Sequence, residues 1–228
     1  MQYEEFVLLR SFAEDKSCKT TDAFNLGKLY FKRGEYSPAL YFFSSAAETS
    51  VDFLLSYECL MMISLCLRGQ GNKEISRMNA IDRAIDLYPL RPEAHYLKSR
   101  CYLENKMYDD CLTCIKNSYD NSWYMGPDFR NGRQDQTVLI SWNISYFGHS
   151  HYQFVKGMAY YYKGENESAL KCFNEISNVA AMDLPPEDYN MFSEVYKKIQ
   201  LLAVGFRVLP AFFHPIVKIT AKRRQLIR

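Results

Sequence analysis

Two short stretches hold residues that could do chemistry. Cys111-Leu-Thr-Cys114 sets two thiols at the spacing of a metal or redox pair. His149-Ser-His151 offers two imidazoles as metal ligands. Neither stretch brings the rest of a site. No second cysteine pair stands at zinc-site spacing, and no carboxylate or cysteine cluster accompanies the histidines. Cys111 and Cys114 fall inside a helical pattern, where free cysteine packs as a small hydrophobe. The histidines fall at a loop–helix junction, where a solvated or capping role is expected. No glycine-rich phosphate loop, serine-nucleophile elbow or paired-acid constellation stands out. Catalysis by this chain alone is not expected, and neither a cofactor nor a metal is.

The composition agrees with a folded, non-catalytic chain. Its 228 residues suffice for one large core or one short repeat array. At 48% hydrophobic and 24% charged residues it reads as globular, not disordered. Eighteen tyrosines against ten glycines favour packed helices over loop-rich β structure. The opening "MQYEEFVLLRSFAEDK" carries acids where a signal peptide carries bases, and it reads as a helix. Seven cysteines scattered through apolar stretches fit a reducing, cytoplasmic setting. Asn143-Ile-Ser145 and Asn166-Glu-Ser168 match a glycosylation acceptor pattern, which means little without a secretory signal.

The net charge of +2 hides an asymmetry. After Glu194 there are eight bases and no acid; 28 bases less eight leaves 20, against 26 acids in residues 1–194. The body is therefore −6 and the end +8. The acidic body argues against nucleic-acid binding, which needs a basic surface.

The elements that would position any site follow a repeat. In "LGKLYFKRGEYSPALYFFSSA" the small residue Gly27 is followed by Tyr30, Gly34, Tyr36, Ala39, Phe43 and Ala46. Ser99, Tyr102, Tyr108, Cys111, Ile115 and Ser118 recur at the same offsets. Gly157, Tyr160, Gly164, Ala169 and Phe173 recur again. Small residues at Gly27, Ser99 and Gly157 let two antiparallel helices approach, and the larger residues fill the groove beside them. Gly34 and Gly164 sit at the turn, where a helix C-cap favours a left-handed backbone. One such unit cannot bury its apolar face, so neighbours must stack.

The pattern resembles the tetratricopeptide repeat, whose period is about 34 residues. Gly27-Lys28-Leu29-Tyr30 matches its small-x-x-Tyr, Ala39 and Phe43 match its second helix, and Pro89 matches its terminal proline. The second unit, around Met61, is degenerate and carries about one extra turn near Gly69–Lys73. An insertion of 24 residues separates the third and fourth units, roughly Trp123–Ser150. Residues 3–14 read as a leading helix and 186–204 as a trailing one. The expected fold is all-α: a short superhelix of about four helix pairs with capping helices over residues 1–204, then an apolar and basic segment at 205–228.

A narrower resemblance runs over residues 20–180. Arg91-Pro92-Glu93 after a proline-ended helix, then Tyr161-Tyr162-Lys163-Gly164 with Ala169, is similar to the helical-repeat extension of some family-2-type glycosyltransferases. The chain has no Asp-x-Asp motif and no strand–helix alternation for a nucleotide-sugar site. That resemblance implies an auxiliary module of carbohydrate transfer working beside a separate enzyme.

The tetratricopeptide resemblance implies a concave face lined by first-helix residues. These are Phe24, Lys28, Phe31 and Lys32; Glu58, Met62, Leu65 and Cys66; Tyr96, Arg100, Leu103 and Glu104; and Phe154, Met158, Tyr161 and Tyr162. Aromatic and arginine anchors are what interface hot spots prefer. Phe24, Lys28, Lys32, Met62, Tyr96, Arg100, Phe154, Met158 and Tyr161 are the expected contacts to a protein partner, an extended peptide or a helix in the groove. The carboxylate clamp of chaperone-binding relatives wants Lys and Asn where this chain has Phe24 and Lys28.

Two further segments stand out. The insert holds both tryptophans, Trp123 and Trp142. They either plug the gap between units or anchor a sugar or a protein. The stretch from Ile199 to Val217 is nearly continuous apolar, and Lys218, Lys222, Arg223, Arg224 and Arg228 follow. Arg207, Pro210 and Pro215 argue against a membrane span. Such a segment caps the array, docks on a partner or a second copy, or lies on an anionic membrane surface.

Overall fold

A computed structural model describes residues 3–14, 19–71, 74–124, 149–176 and 188–201. Among them there is no strand. The helices are α1 (Tyr3–Glu14), α2 (Lys19–Lys32), α3 (Tyr36–Thr49), α4 (Phe53–Gly69), α5 (Glu74–Leu87), α6 (Pro92–Glu104), α7 (Tyr108–Tyr124), α8 (His149–Tyr162) and α9 (Asn166–Asn174). A further helix, α10, covers 188–201. Four antiparallel pairs follow one another: α2/α3, α4/α5, α6/α7 and α8/α9. α1 and α10 flank them, as expected of a capped repeat array. Residues 125–148 and 202–228 lie outside the described residues, as does the side chain of Trp123. Expectations about Trp142 and the basic end fall there.

Three of the four pairs close through the same turn. In the first unit Gly34 has φ 74°, its N–H donates to Phe31 O (2.9 Å), and Glu35 N–H donates to Tyr30 O (3.0 Å). Gly164 has φ 83° and repeats both bonds onto Tyr161 and Tyr160. In the third unit the position is Lys106, yet φ is 62° and the bonds run to Leu103 and Tyr102. A lysine there accepts a left-handed backbone that glycine adopts without steric cost.

The pair interiors follow the offsets of the repeat. A Cβ added to Gly27 would stand 2.7 Å from the Phe43 ring, and one on Gly157 would run into Phe173. The third unit solves the same packing differently, with buried Ser99 and the smaller Ile115. The second unit keeps Ala80, Ile81 and Ala84 buried beside Met61. Its extra turn lengthens α4 to 17 residues, against 14 in α2. That turn brings Gly69 against the Tyr36 ring of the first unit. The Asp52 side chain caps α4, accepting from Leu54 N–H at 2.8 Å. Pro92 opens α6, where its missing N–H costs nothing.

The flanking helices continue the stack. α1 meets the first unit through the Phe12–Phe42 ring contact (5.5 Å), Tyr30 donating to Glu5 (2.8 Å), and the Arg33–Glu5 ion pair (2.9 Å). α10 meets α9 through Phe192 and Phe173 (5.4 Å) and Tyr196 donating to Asn174 (2.7 Å). No described helix is long and apolar enough to cross a membrane.

Candidate functional site: the concave face

The first helices α2, α4, α6 and α8 carry the positions that the tetratricopeptide resemblance assigns to the concave face, and two polar centres form along them. The nearer one joins the second and third units. Tyr57 on α4 is fully buried and donates to Glu93 on α6 (3.3 Å), while Ala94 N–H donates back to its oxygen (3.2 Å). Arg91 closes an ion pair on Glu93 (2.7 Å) and lays its guanidinium over the Tyr57 ring (5.2 Å). Burial drives the Tyr57 phenol well above its ordinary value, with the Glu93 charge adding to it. The Arg91-x-Glu93 motif therefore clamps one unit to the previous one.

Glu58 lies on the same face and is buried. Burial raises its carboxyl from 4.5 to about 7, against the pull of Lys28 and Arg91. A concave face with one carboxyl titrating near neutrality changes charge in the physiological range.

The farther centre is Arg100 on α6. Its two Nη atoms donate to Asp188 on α10 at 2.5 and 3.0 Å, across 88 residues of chain. The guanidinium also covers the Phe154 ring at 5.8 Å, and Asp188 is buried. Tyr96 stands beside it, edge-on to His151 (6.3 Å) and Tyr152 (6.2 Å).

These contacts correct the expectation of an open aromatic groove. Phe24, Met62, Tyr96, Phe154 and Met158 are buried within the chain. Their neighbours on the same face cover them: Lys28 reaches over Phe24 (5.5 Å) and Arg100 over Phe154. Arg100 is itself largely enclosed and paired. What stays open is spread along the array: Lys32, Glu104 and Tyr162 are exposed, and Lys28 and Phe31 are half-buried. Tyr161 is half-buried at the other end.

Sequence reasoning placed Glu58 and Arg100 on this face but missed their partners. No local pattern marks Asp188 as the mate of an arginine so far away in the chain. Tyr57 gave no signal either, because its role depends on the next unit.

The described cysteines behave as packing residues. Cys59, Cys66, Cys101 and Cys111 are buried, and burial pushes the Cys111 thiol up to about 12. Such a thiol carries almost no thiolate at neutral pH. Cys114 is half-buried, and no metal-binding group of three appears among the described residues. His151 is buried rather than solvated.

On the other side a cleft of about 660 Å³ opens between α7 and α8. Lys116 and Tyr119 form one wall; Lys156 and Tyr160 form the other.

The stacked helix pairs define a helical-repeat fold of the tetratricopeptide type. Solved structures of similar shape are MamA 41-end from Desulfovibrio magneticus RS-1 and a MamA RS-1 ArsTM double mutant. Each has 16% identity and a TM-score of 0.50, over 82% of this chain and 96% of the other. No family model matches, and no curated protein matches significantly.

Proposed function

We propose that the chain is a non-catalytic scaffold that binds a protein partner on its concave face. The observation that supports this reading is the start of that face, where Lys32 is exposed and Lys28 and Phe31 are half-buried beside it. A basic, aromatic-edged surface suits an acidic peptide or helix. Glu58, raised to about 7, makes that surface more basic on the acid side of neutrality. The MamA-like shape supports a repeat scaffold in general. The auxiliary role in glycosyl transfer gains no support from the comparisons.

Capture from the native source tests the reading. Lys28→Glu with Lys32→Glu should lose partners that the unaltered chain retains, at unchanged helicity. An identical set of captured proteins from both would remove the concave face as the binding surface.

A further inference from the structure

Glu58 on α4 is buried, yet among the described residues its carboxyl makes no hydrogen bond and no ion pair. It is 6% exposed, and neither oxygen is sealed from solvent. A carboxyl held this way costs free energy, most of all when charged. Four charged groups face it. Lys28 comes from α2, Asp52 caps its own helix, and Arg91 and Glu93 stand at the start of α6. None of them closes on it. Arg91 is taken by Glu93 (2.7 Å), and Asp52 accepts from Leu54 N–H (2.8 Å). Lys28 lies over the Phe24 ring and, among the described residues, makes no ion pair.

An ammonium and a carboxyl, neither of them committed, therefore share one place on the face. Their chemistry decides what fits between them. A cation entering here meets Lys28 and Arg91, with Lys32 one turn further along α2. A carboxylate meets the same bases favourably and is opposed chiefly by Glu58, while Glu58 is charged. A proton on Glu58 turns that opposition into a hydrogen bond. Its O–H then donates to the incoming carboxylate, and Lys28 supplies the charge. Burial already favours the protonated form.

We propose that Glu58 in its acid form and Lys28 together take an aspartate or glutamate side chain of the partner, so that binding on this face takes up a proton. No covalent bond changes. The proton comes from solvent and sits between the two carboxyl groups. The proposal rests on the concave-face reading and deepens it, making Glu58 the residue that selects an acidic partner and ties its affinity to pH.

The test uses the full chain and a fluorescent decaglutamate with an amidated C-terminus, so that side chains are its only carboxyl groups. Free Glu58 loses its proton at about 7, so binding should be about tenfold weaker at about pH 8 than at about pH 6. Calorimetry in buffers of different ionisation heat should find about one proton taken up per peptide at about pH 8. That measurement needs no variant. Glu58→Gln keeps a donor in the same place without a charge, and should hold the acid-side affinity at both pH values. Lys28→Glu with Lys32→Glu should lose the peptide at both. Equal binding at the two pH values, still lost in the double lysine variant, would overturn the proton link and leave the concave-face reading standing. A pH dependence that survives in Glu58→Gln would overturn it in the same way, because another group would then be titrating. Binding indifferent to the lysine variant, or none at any pH, would overturn the proposal, the first together with the reading beneath it. A decalysine peptide that binds more tightly as pH rises, through Glu58, would overturn it by showing that the carboxyl takes a cation.

Discussion

At the scale of single residues, three positions have calculable consequences. Gly157 faces Phe173 so closely that any side chain must move the ring. Gly157→Leu should therefore destabilise by roughly 1–3 kcal/mol, as overpacked cores do. Thermal melting reads this, and an unchanged midpoint would refute the register of the fourth unit. Lys106 carries the opposite lesson. It holds φ 62° where two other units have glycine. Lys106→Gly should stabilise the protein by about 0.5–1 kcal/mol, relief of strain being partly offset by the freer unfolded chain. Glu58 makes a pH prediction. Its folded value is raised from 4.5 to about 7, so the folded state holds the proton more tightly. The neutral carboxyl's stability is fully present below 4.5 and is lost as pH rises through 7. The loss can reach about 1.4 kcal/mol per pH unit within that window. Glu58→Gln should match the unaltered chain in acid and exceed it at alkaline pH. Parallel melting curves at both ends of the window would contradict this.

At the scale of elements, what could be read in advance was whatever repeats. The Gly27–Phe43 and Gly157–Phe173 contacts follow from one offset, and the turns at Gly34 and Gly164 from another. Ser99 with Ile115 keeps the pattern while exchanging sizes, so the third unit was legible too. The concave face was less so. Its positions were found, but their exposure depends on side chains arriving from other units. Phe24 looks presented until Lys28 lies across it, and Arg100 looks like an anchor until Asp188 meets it. Tyr96→Ala with Arg100→Ala is accordingly expected to destabilise the protein, not merely to weaken binding. Asp188→Ala alone should cost about 3 kcal/mol, since it strands a largely buried guanidinium. Chemical denaturation measures both. If Asp188→Ala melts like the unaltered chain, α10 is not fastened to α6 in solution.

At the scale of the whole molecule, the charge asymmetry makes a prediction about association. Residues 1–194 carry −6 and the rest +8. Removing residues 206–228 takes away six of those bases, and it should weaken association and its dependence on salt while leaving the helicity of residues 1–194 in place. Sedimentation at low and high ionic strength compares the two chains, and equal behaviour would leave the basic end without a part in assembly. The Arg100–Asp188 bridge has a different reach. A repeat array normally knows only its neighbours, so it can peel from an end one unit at a time. This bridge reaches past the fourth unit, over Phe154, and ties the third to α10, making a clasped loop of a ladder. Pulled from its C-terminal side, the protein should resist until the clasp fails and then give way as a block from α6 onward. Without the clasp, the same pull should undo α10, then α9 and α8, in a row of smaller steps.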